Sequence, residues 1–298
     1  MPDYKTQINL HQEEASLCLK QADADCDTII DRLEKCHDLF QQNQQHDVLH
    51  PLRETHVSLM QSLHQFLAGK AVKTQPAERY SQLCNRMIVQ YGLPSSGTTV
   101  VWQVLNHLFP GCVYKTHLPP SFPVPTIVTQ RDTRDVILSR WRKRNNDVTN
   151  EKGEILRKIS PQELEKELQT ILPVIHRYDK YVKANKNSQR LLLLKYEDFI
   201  NDMRQLLDPI AAFFNLTIPE EEGLRIAEKY SLKANQRISQ KFDHFSGYDS
   251  TSLIHGKHIF TGEHGAWQSL VEPDCWDDLQ RPIACYLESG GYPIVKSV

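Results

Sequence analysis

Residues 92–99 read Gly-Leu-Pro-Ser-Ser-Gly-Thr-Thr, which has the skeleton G-x-x-x-x-G-x-[ST] of a phosphate-binding loop. The apolar run at 87–91 before it reads as a short buried strand, and the run at 98–109 after it reads as an amphipathic helix. A strand–loop–helix of this kind aims several backbone N–H groups and a helix N-terminus at one spot, which suits a phosphate or sulfate. The lysine expected just after the second glycine of a nucleoside-triphosphate loop is absent, and Thr98 stands there. The loop therefore suits a phosphate-like anion without the usual γ-phosphate and Mg²⁺ chemistry.

Around this loop, strand-like runs at 87–91, 112–115, 126–129 and 190–195 alternate with helix-like runs at 98–109, 133–144, 161–184, 197–214 and 220–230. Such alternation implies a parallel sheet with covered faces. The unbroken Leu191–Leu194 run is of the kind expected in a strand buried on both faces. The segment at 145–153 reads as a polar surface loop, and 276–287 as a final helix. Residues 242–265, with four glycines, form a loop long enough to be a lid. Upstream, residues 1–78 are rich in Gln, His, Asp and Glu and contain no strand-like run. Apolar residues at 26, 29, 30, 33, 36 and 40, and again at 49, 52, 59, 63, 66 and 67, recur at helical spacing. We read two domains: an N-terminal helical hairpin over 1–78, suited to packing or dimerisation, and an α/β domain over 79–298.

Composition excludes several classes. The net charge of −2 gives no global reason to expect nucleic acid or an anionic membrane as partner. No run of about 18 apolar residues is present to span a bilayer. Seven cysteines without a C-x-x-C pair fit free thiols in a reducing cytoplasm, and a polar N-terminus does not read as a secretion signal.

Four segments together resemble one family, the sulfotransferases that use 3′-phosphoadenosine 5′-phosphosulfate (PAPS). Pro94-Ser95-Ser96-Gly97-Thr98-Thr99 is similar to the family's 5′-phosphosulfate loop P-K-S-G-T-T. Tyr114-Lys115-Thr116-His117-Leu118-Pro119 is similar to the K-T-H-L-P segment of the cytosolic branch. Arg131 with Ser139 resembles the 3′-phosphate signature R-x-x-x-D-x-x-x-S, and Gly262-Glu-His-Gly265-Ala-Trp267 resembles the C-terminal G-x-x-G-x-W loop. Tyr196-Glu197-Asp198 is a looser match to the family's Y-E-D. The likeness spans roughly residues 84–290. It implies a three-layer P-loop-type α/β sandwich with a central parallel sheet, no metal, and transfer of a sulfuryl group to an acceptor hydroxyl.

The resemblance also implies roles. His117, one of 13 histidines, follows a short strand, and active sites of α/β sheets form beyond strand C-termini. A neutral imidazole there suits a general base for an alcohol proton. Ser95, Ser96, Gly97, Thr98 and Thr99 would hold the 5′-phosphosulfate by amides and hydroxyls. Arg131 and Ser139 would clamp the 3′-phosphate, since guanidinium forks onto phosphate oxygens. Tyr196 would lie near the adenine, with Gly262 and Trp267 covering the nucleotide. Lys257 and His258 are candidates for further 3′-phosphate contacts, because the family's R-K-G before the lid is largely missing. Arg134, Arg140, Arg142, Lys143 and Arg144 crowd one helix and read mostly as a solvated basic face, with some of them candidates to steer the anionic cofactor. Two departures stand out. The loop lysine of the family is Ser95 here, and Lys115 is the candidate to supply that charge; the family's stacking tryptophan after T-T is Val100. A non-catalytic nucleotide-binding protein of the same fold, or a nucleotide-kinase-like phosphotransferase, is the alternative. The acceptor is left open among small molecules, lipids and carbohydrates.

Overall fold

A computed structural model describes residues 4–21, 25–42, 46–69, 74–145, 148–149, 154–249, 251–256, 259 and 262–296. Four helices come first: α1 Tyr4–Leu19, α2 Cys26–Gln42, α3 His46–Gly69 and α4 Thr74–Asn85. The expected hairpin corresponds to α2 and α3. It is flanked by α1, whose apolar residues show little helical spacing, and by α4, which is only 12 residues long.

The sheet follows, with β1 Ile88–Gly92, β2 Val113–Thr116, β3 Thr126–Gln130 and β4 Leu191–Lys195 in the order β2-β1-β3-β4, all parallel. Parallel neighbours need crossovers. α5 Thr98–Leu108 joins β1 to β2, and α6 Thr133–Arg144 with α7 Pro161–Asn185 joins β3 to β4. Successive strand residues face opposite ways. Ile88 and Ile127 enter one core, with α5 residues Val101 and Leu105; Val89, Tyr91 and Val128 enter the other, continuous with the N-terminal helices and α7. The result is three layers. β1 has β2 on one side and β3 on the other, so the strand order reverses at β1. The crevice beyond these strand C-termini is where ligands of such sheets bind.

Local chemistry sets several boundaries. α7 starts at a capping box: Ser160 Oγ accepts from the Glu163 amide while Glu163 Oε2 accepts from the Ser160 amide, and Pro161 sits at the first turn. The helix expected over 197–214 is two, α8 Tyr196–Phe199 and α9 Arg204–Phe214. Asp202 Oδ1 accepts from the Arg204 amide at 3.0 Å and starts a new helix there. α10 is Glu220–Lys229, and a further helix, α11 Leu232–Ser239, is capped by Ser231. The long loop contains a small antiparallel pair, β5 Tyr248–Asp249 and β6 Ile254–His255. α12 Trp267–Leu270 follows. The expected last helix is broken into α13 Trp276–Gln280 and α14 Ala284–Gly290 by a 3₁₀ turn at Arg281–Ile283, because Pro282 has no N–H to continue it.

One expectation is corrected. The leucine run of β4 is not buried on both faces: β4 is the sheet edge among the described strands, and Leu193 is 37% exposed. No helix among the described residues is long and apolar enough to cross a membrane, and all seven cysteines are free.

Candidate active site

The loop after β1 is built on two left-handed residues, Ser95 (φ 70°) and Gly97 (φ 86°). Gly97 caps α5, and a Cβ there would come within 2.6 Å of the Tyr196 ring, so the glycine is needed for conformation and for space. Ser95 adopts the same region with a side chain, a strain of the kind that concentrates at functional sites.

Ser96 does not present its hydroxyl to a ligand. It is fully buried, its Oγ donates to the Leu93 carbonyl at 2.7 Å and shares a 2.9 Å hydrogen bond with Thr129 Oγ1, and its amide also turns back to Leu93. Ser96 therefore fastens the loop to β3. Gly97, Thr98 and Thr99 line the crevice as expected.

Two cavities meet at this loop. The first is lined by Gly97, Arg131, Ser139, Tyr196, Gly262 and Trp267 among others. The second, about 550 Å³, lies on the other side and is lined by Lys115, His117, Arg140, Phe245, Tyr248 and others. Ser95, Thr98, Thr99 and Lys143 belong to both walls.

In the first cavity Arg131 spans from the Ser95 carbonyl (3.0 Å) to the Glu263 carbonyl (3.1 Å), with its guanidinium 4.2 Å from the centre of the Tyr196 ring. Its Nε is buried without a partner. Tyr196 in turn donates to the Gly262 carbonyl at 2.9 Å. Asp135, whose role the sequence reading left unassigned, is the latch of this corner. Its two oxygens accept from the amides of Gly265 and Trp267, each at 2.9 Å. Burial pushes the Asp135 carboxyl upward against the pull of Arg131. Asp132, Asp135 and His264 come within 4.8 Å of one another, but Asp132 is already paired with the buried Arg134 at 2.7 Å. Trp267 is 1% exposed, with the Arg134 guanidinium over one face and Trp276 edge-on; it is a wall of the cavity rather than a mobile cover. Lys257 and His258 lie outside the described residues.

The basic helix α6 is a solvated face only in part: Arg144 is exposed and Arg140 and Lys143 are half-buried. Arg134 and Arg142 are buried, at 2% and 5% exposure, because α6 is enclosed between the sheet and the C-terminal helices. Burial lowers the Arg142 pKa to about 10.

In the second cavity, Lys115 Nζ donates to Thr99 Oγ1 at 2.8 Å, and burial lowers its pKa to about 8 against the pull of Glu54. His117 Nδ1 lies 2.8 Å from the Gly92 carbonyl. A carbonyl only accepts, so Nδ1 carries the proton and Nε2 keeps its lone pair. The ring is packed by protein on one side and open to the cleft on the other. That packing, with Lys115, Lys143 and Arg140 nearby, holds its pKa down to about 4, so it is a neutral acceptor at pH 7.

Lys143, which the sequence places on the basic helix with no particular partner, reaches the loop itself. Its Nζ donates to Ser95 Oγ at 3.0 Å, at the boundary of the two cavities. Lys115 touches only the second. A basic side chain thus reaches position 95 of the loop from a helix 48 residues downstream. The only sequence signal was a lysine in the last turn of the helix after the R-x-x-x-D-x-x-x-S segment.

A family model for the sulfotransferase domain matches residues 56–284. Among solved structures, mouse sulfotransferase SULT7A1 complexed with PAP is similar with a TM-score of 0.51 at 16% identity, over 69% of this chain and 86% of that one. Retinol dehydratase in complex with androsterone and inactive cofactor PAP gives 0.49 at 17% identity, over 68% of this chain and 81% of that one. No curated protein matches the chain.

Proposed function

Since this chain belongs to the sulfotransferase-domain family, we propose that it moves a sulfuryl group from PAPS to an acceptor hydroxyl by one in-line displacement. The observation that carries the reading is the junction of the two cavities. The loop residues Thr98 and Thr99, the cation of Lys143 and the cleft bearing His117 Nε2 converge there. One cavity would take the nucleotide and the other the acceptor.

On this reading Arg131 and Ser139 bind the 3′-phosphate, Arg131 exchanging its two backbone carbonyl contacts for phosphate oxygens, which are stronger acceptors. Tyr196, Gly262 and Trp267 form the nucleotide wall. The amides of Gly97 to Thr99 at the start of α5 hold the 5′-phosphosulfate. The acceptor oxygen attacks sulfur, its proton passes to His117 Nε2, and the sulfur–oxygen bond to the 5′-phosphate breaks. The electron pair stays on the phosphate oxygen. Lys143, with Lys115 behind Thr99, offsets the charge developing there, where fixed electrostatics contribute most. The donor's own charge also offsets the cations that hold His117 down, so bound donor strengthens the base. Residues 1–78 act as a helical extension that shares the core of the catalytic unit.

The test is calorimetric binding of adenosine 3′,5′-bisphosphate (PAP) beside 5′-AMP and Mg-ATP, followed by sulfuryl transfer to a panel of hydroxyl compounds. Preference for PAP by more than about tenfold, lost in Arg131→Ala, is expected. Equal or tighter ATP binding overturns the assignment. PAP binding without transfer to any acceptor favours the non-catalytic alternative.

A further inference from the structure

The second cleft holds more positive charge than a phosphosulfate donor uses. Among the described residues its lining carries Lys115, Arg140, Lys143 and Arg144 against one carboxylate, Glu54. Lys115 and Lys143 point at the loop, through Thr99 and Ser95, and their two charges match the phosphate and sulfate of the donor. Arg144 closes on Glu167 at 2.5 Å. Arg140 makes no hydrogen bond or ion pair among the described residues. It is half-buried, and burial with the nearby Arg144 weakens its hold on its proton, against the pull of Glu167, the carboxylate already engaged by Arg144. It stands close enough to His117 to act on that ring's charge. A guanidinium placed between protein and cleft, next to a second guanidinium and without a carboxylate of its own, lacks its complement.

The facing wall is flat and aromatic. Phe245 stacks on His255 with ring centres 4.5 Å apart, and Tyr248 stacks on the same imidazole at 5.0 Å. Phe245 and Tyr248 are 38% and 43% exposed. The cleft volume of about 550 Å³ suits a small organic molecule.

Building on the proposed sulfuryl transfer, we infer that the acceptor is a hydroxyl compound bearing an acidic group (carboxylate, sulfate or phosphate) on an apolar or ring-shaped body. The acidic group pairs with Arg140, the body lies against the Phe245–His255–Tyr248 wall, and the hydroxyl faces His117. An uncharged acceptor would leave Arg140 unpaired in a cleft from which it displaces water.

The test uses two near-isosteric phenols, 4-hydroxyphenylacetate and 4-hydroxyphenylacetamide, which differ by one charge. Their binding to the PAP-loaded protein is measured by calorimetry at low salt, before any turnover experiment. The carboxylate is expected to bind at least about tenfold tighter than the amide, as a charge-assisted pair requires. In Arg140→Gln the ratio collapses toward one, and Arg140→Lys keeps part of it. Equal binding, tighter amide binding, no detectable binding of either compound, or a preference untouched by Arg140→Gln each overturns the inference. If PAP itself fails to bind, the sulfotransferase reading falls. The same pair run on the protein without PAP then still reports on the cleft: a carboxylate preference lost in Arg140→Gln would keep the anion site and discard only the reaction.

Discussion

Replacing Lys143 by methionine should move stability and function in opposite directions. The ammonium lies between protein layers with Arg142, Arg131, Lys115 and Arg140 as its charged neighbours, and burial with these four like charges pushes its pKa well below the ordinary lysine value. Among the described residues it forms no ion pair; its hydrogen bond goes to the neutral Ser95 hydroxyl at 3.0 Å. Methionine fills much the same volume and gives up that bond, worth about 1 kcal/mol. It also removes a charge whose desolvation costs several kcal/mol when uncompensated. The balance favours the variant by about 1–3 kcal/mol without nucleotide, a rise in Tm of several degrees. With donor bound the sign reverses. The phosphosulfate is the counter-charge this lysine lacks, so PAP affinity should fall about 10- to 100-fold and sulfuryl transfer about 10²- to 10³-fold. Thermal unfolding with and without PAP, together with transfer kinetics, reads all three quantities. A variant that loses stability and PAP affinity together would mean that Lys143 is a packing element, and an unchanged transfer rate would remove it from the reaction.

Four further outcomes are expected. Arg131→Ala should weaken PAP by about 10- to 100-fold while altering 5′-AMP binding far less, since the lost charge-assisted bonds go to the 3′-phosphate; equal losses for both nucleotides would place the guanidinium elsewhere. His117→Asn keeps a donor for the Gly92 carbonyl but removes the basic nitrogen, so transfer should drop about 10²- to 10⁴-fold with PAP affinity preserved, as calorimetry would check. The pH profile of kcat/KM for the donor, which reports the protein before donor binds, should be level from about pH 5 to 7, because there His117 is already neutral above its pKa of about 4. It should fall above about pH 8 as Lys115 loses its proton, and Lys115→Arg should carry that alkaline limb upward. His37, buried against Tyr114 at 2.6 Å and near Arg53, has its pKa lowered to about 4. A histidine depressed in the folded state binds its proton first in the unfolded chain, so acid favours unfolding. About 3 kcal/mol of stability should be lost as pH falls from 6.5 to 4. His37→Gln should flatten this loss in urea titrations run across that range.

Much of this site is written locally. A glycine-rich turn between a β run and a helix announces an anion loop because its chemistry is backbone chemistry, set by the residues of the turn itself. His117 and Arg131 were legible for a related reason: each follows directly on a strand of a parallel sheet, and the end of such a strand is where the crevice lies. What stayed hidden are contacts between segments far apart in the chain. Asp135 reaches the Gly265 and Trp267 amides, about 130 residues away. Ser96 turns inward because Thr129, on a neighbouring strand, offers a partner. The helices α4 and α11 and the breaks at Asp202 and Pro282 were missed or blurred for another reason: with 12 and 8 residues these helices are amphipathic but too short to stand out from their flanks.

The sequence by itself therefore determined the alternation of strands and helices, the anion loop and the identity of the residues beyond each strand, because these follow from local periodicity and backbone conformation. Only the tertiary structure decided which basic side chains reach the loop, Lys143 at Ser95 as well as Lys115 at Thr99, and which basic residues of α6 are buried and which line the cleft. Those outcomes depend on how α6 packs against α7, α12 and the loop after β1, and burial and charge in that space are properties of the packed molecule, not of any one segment.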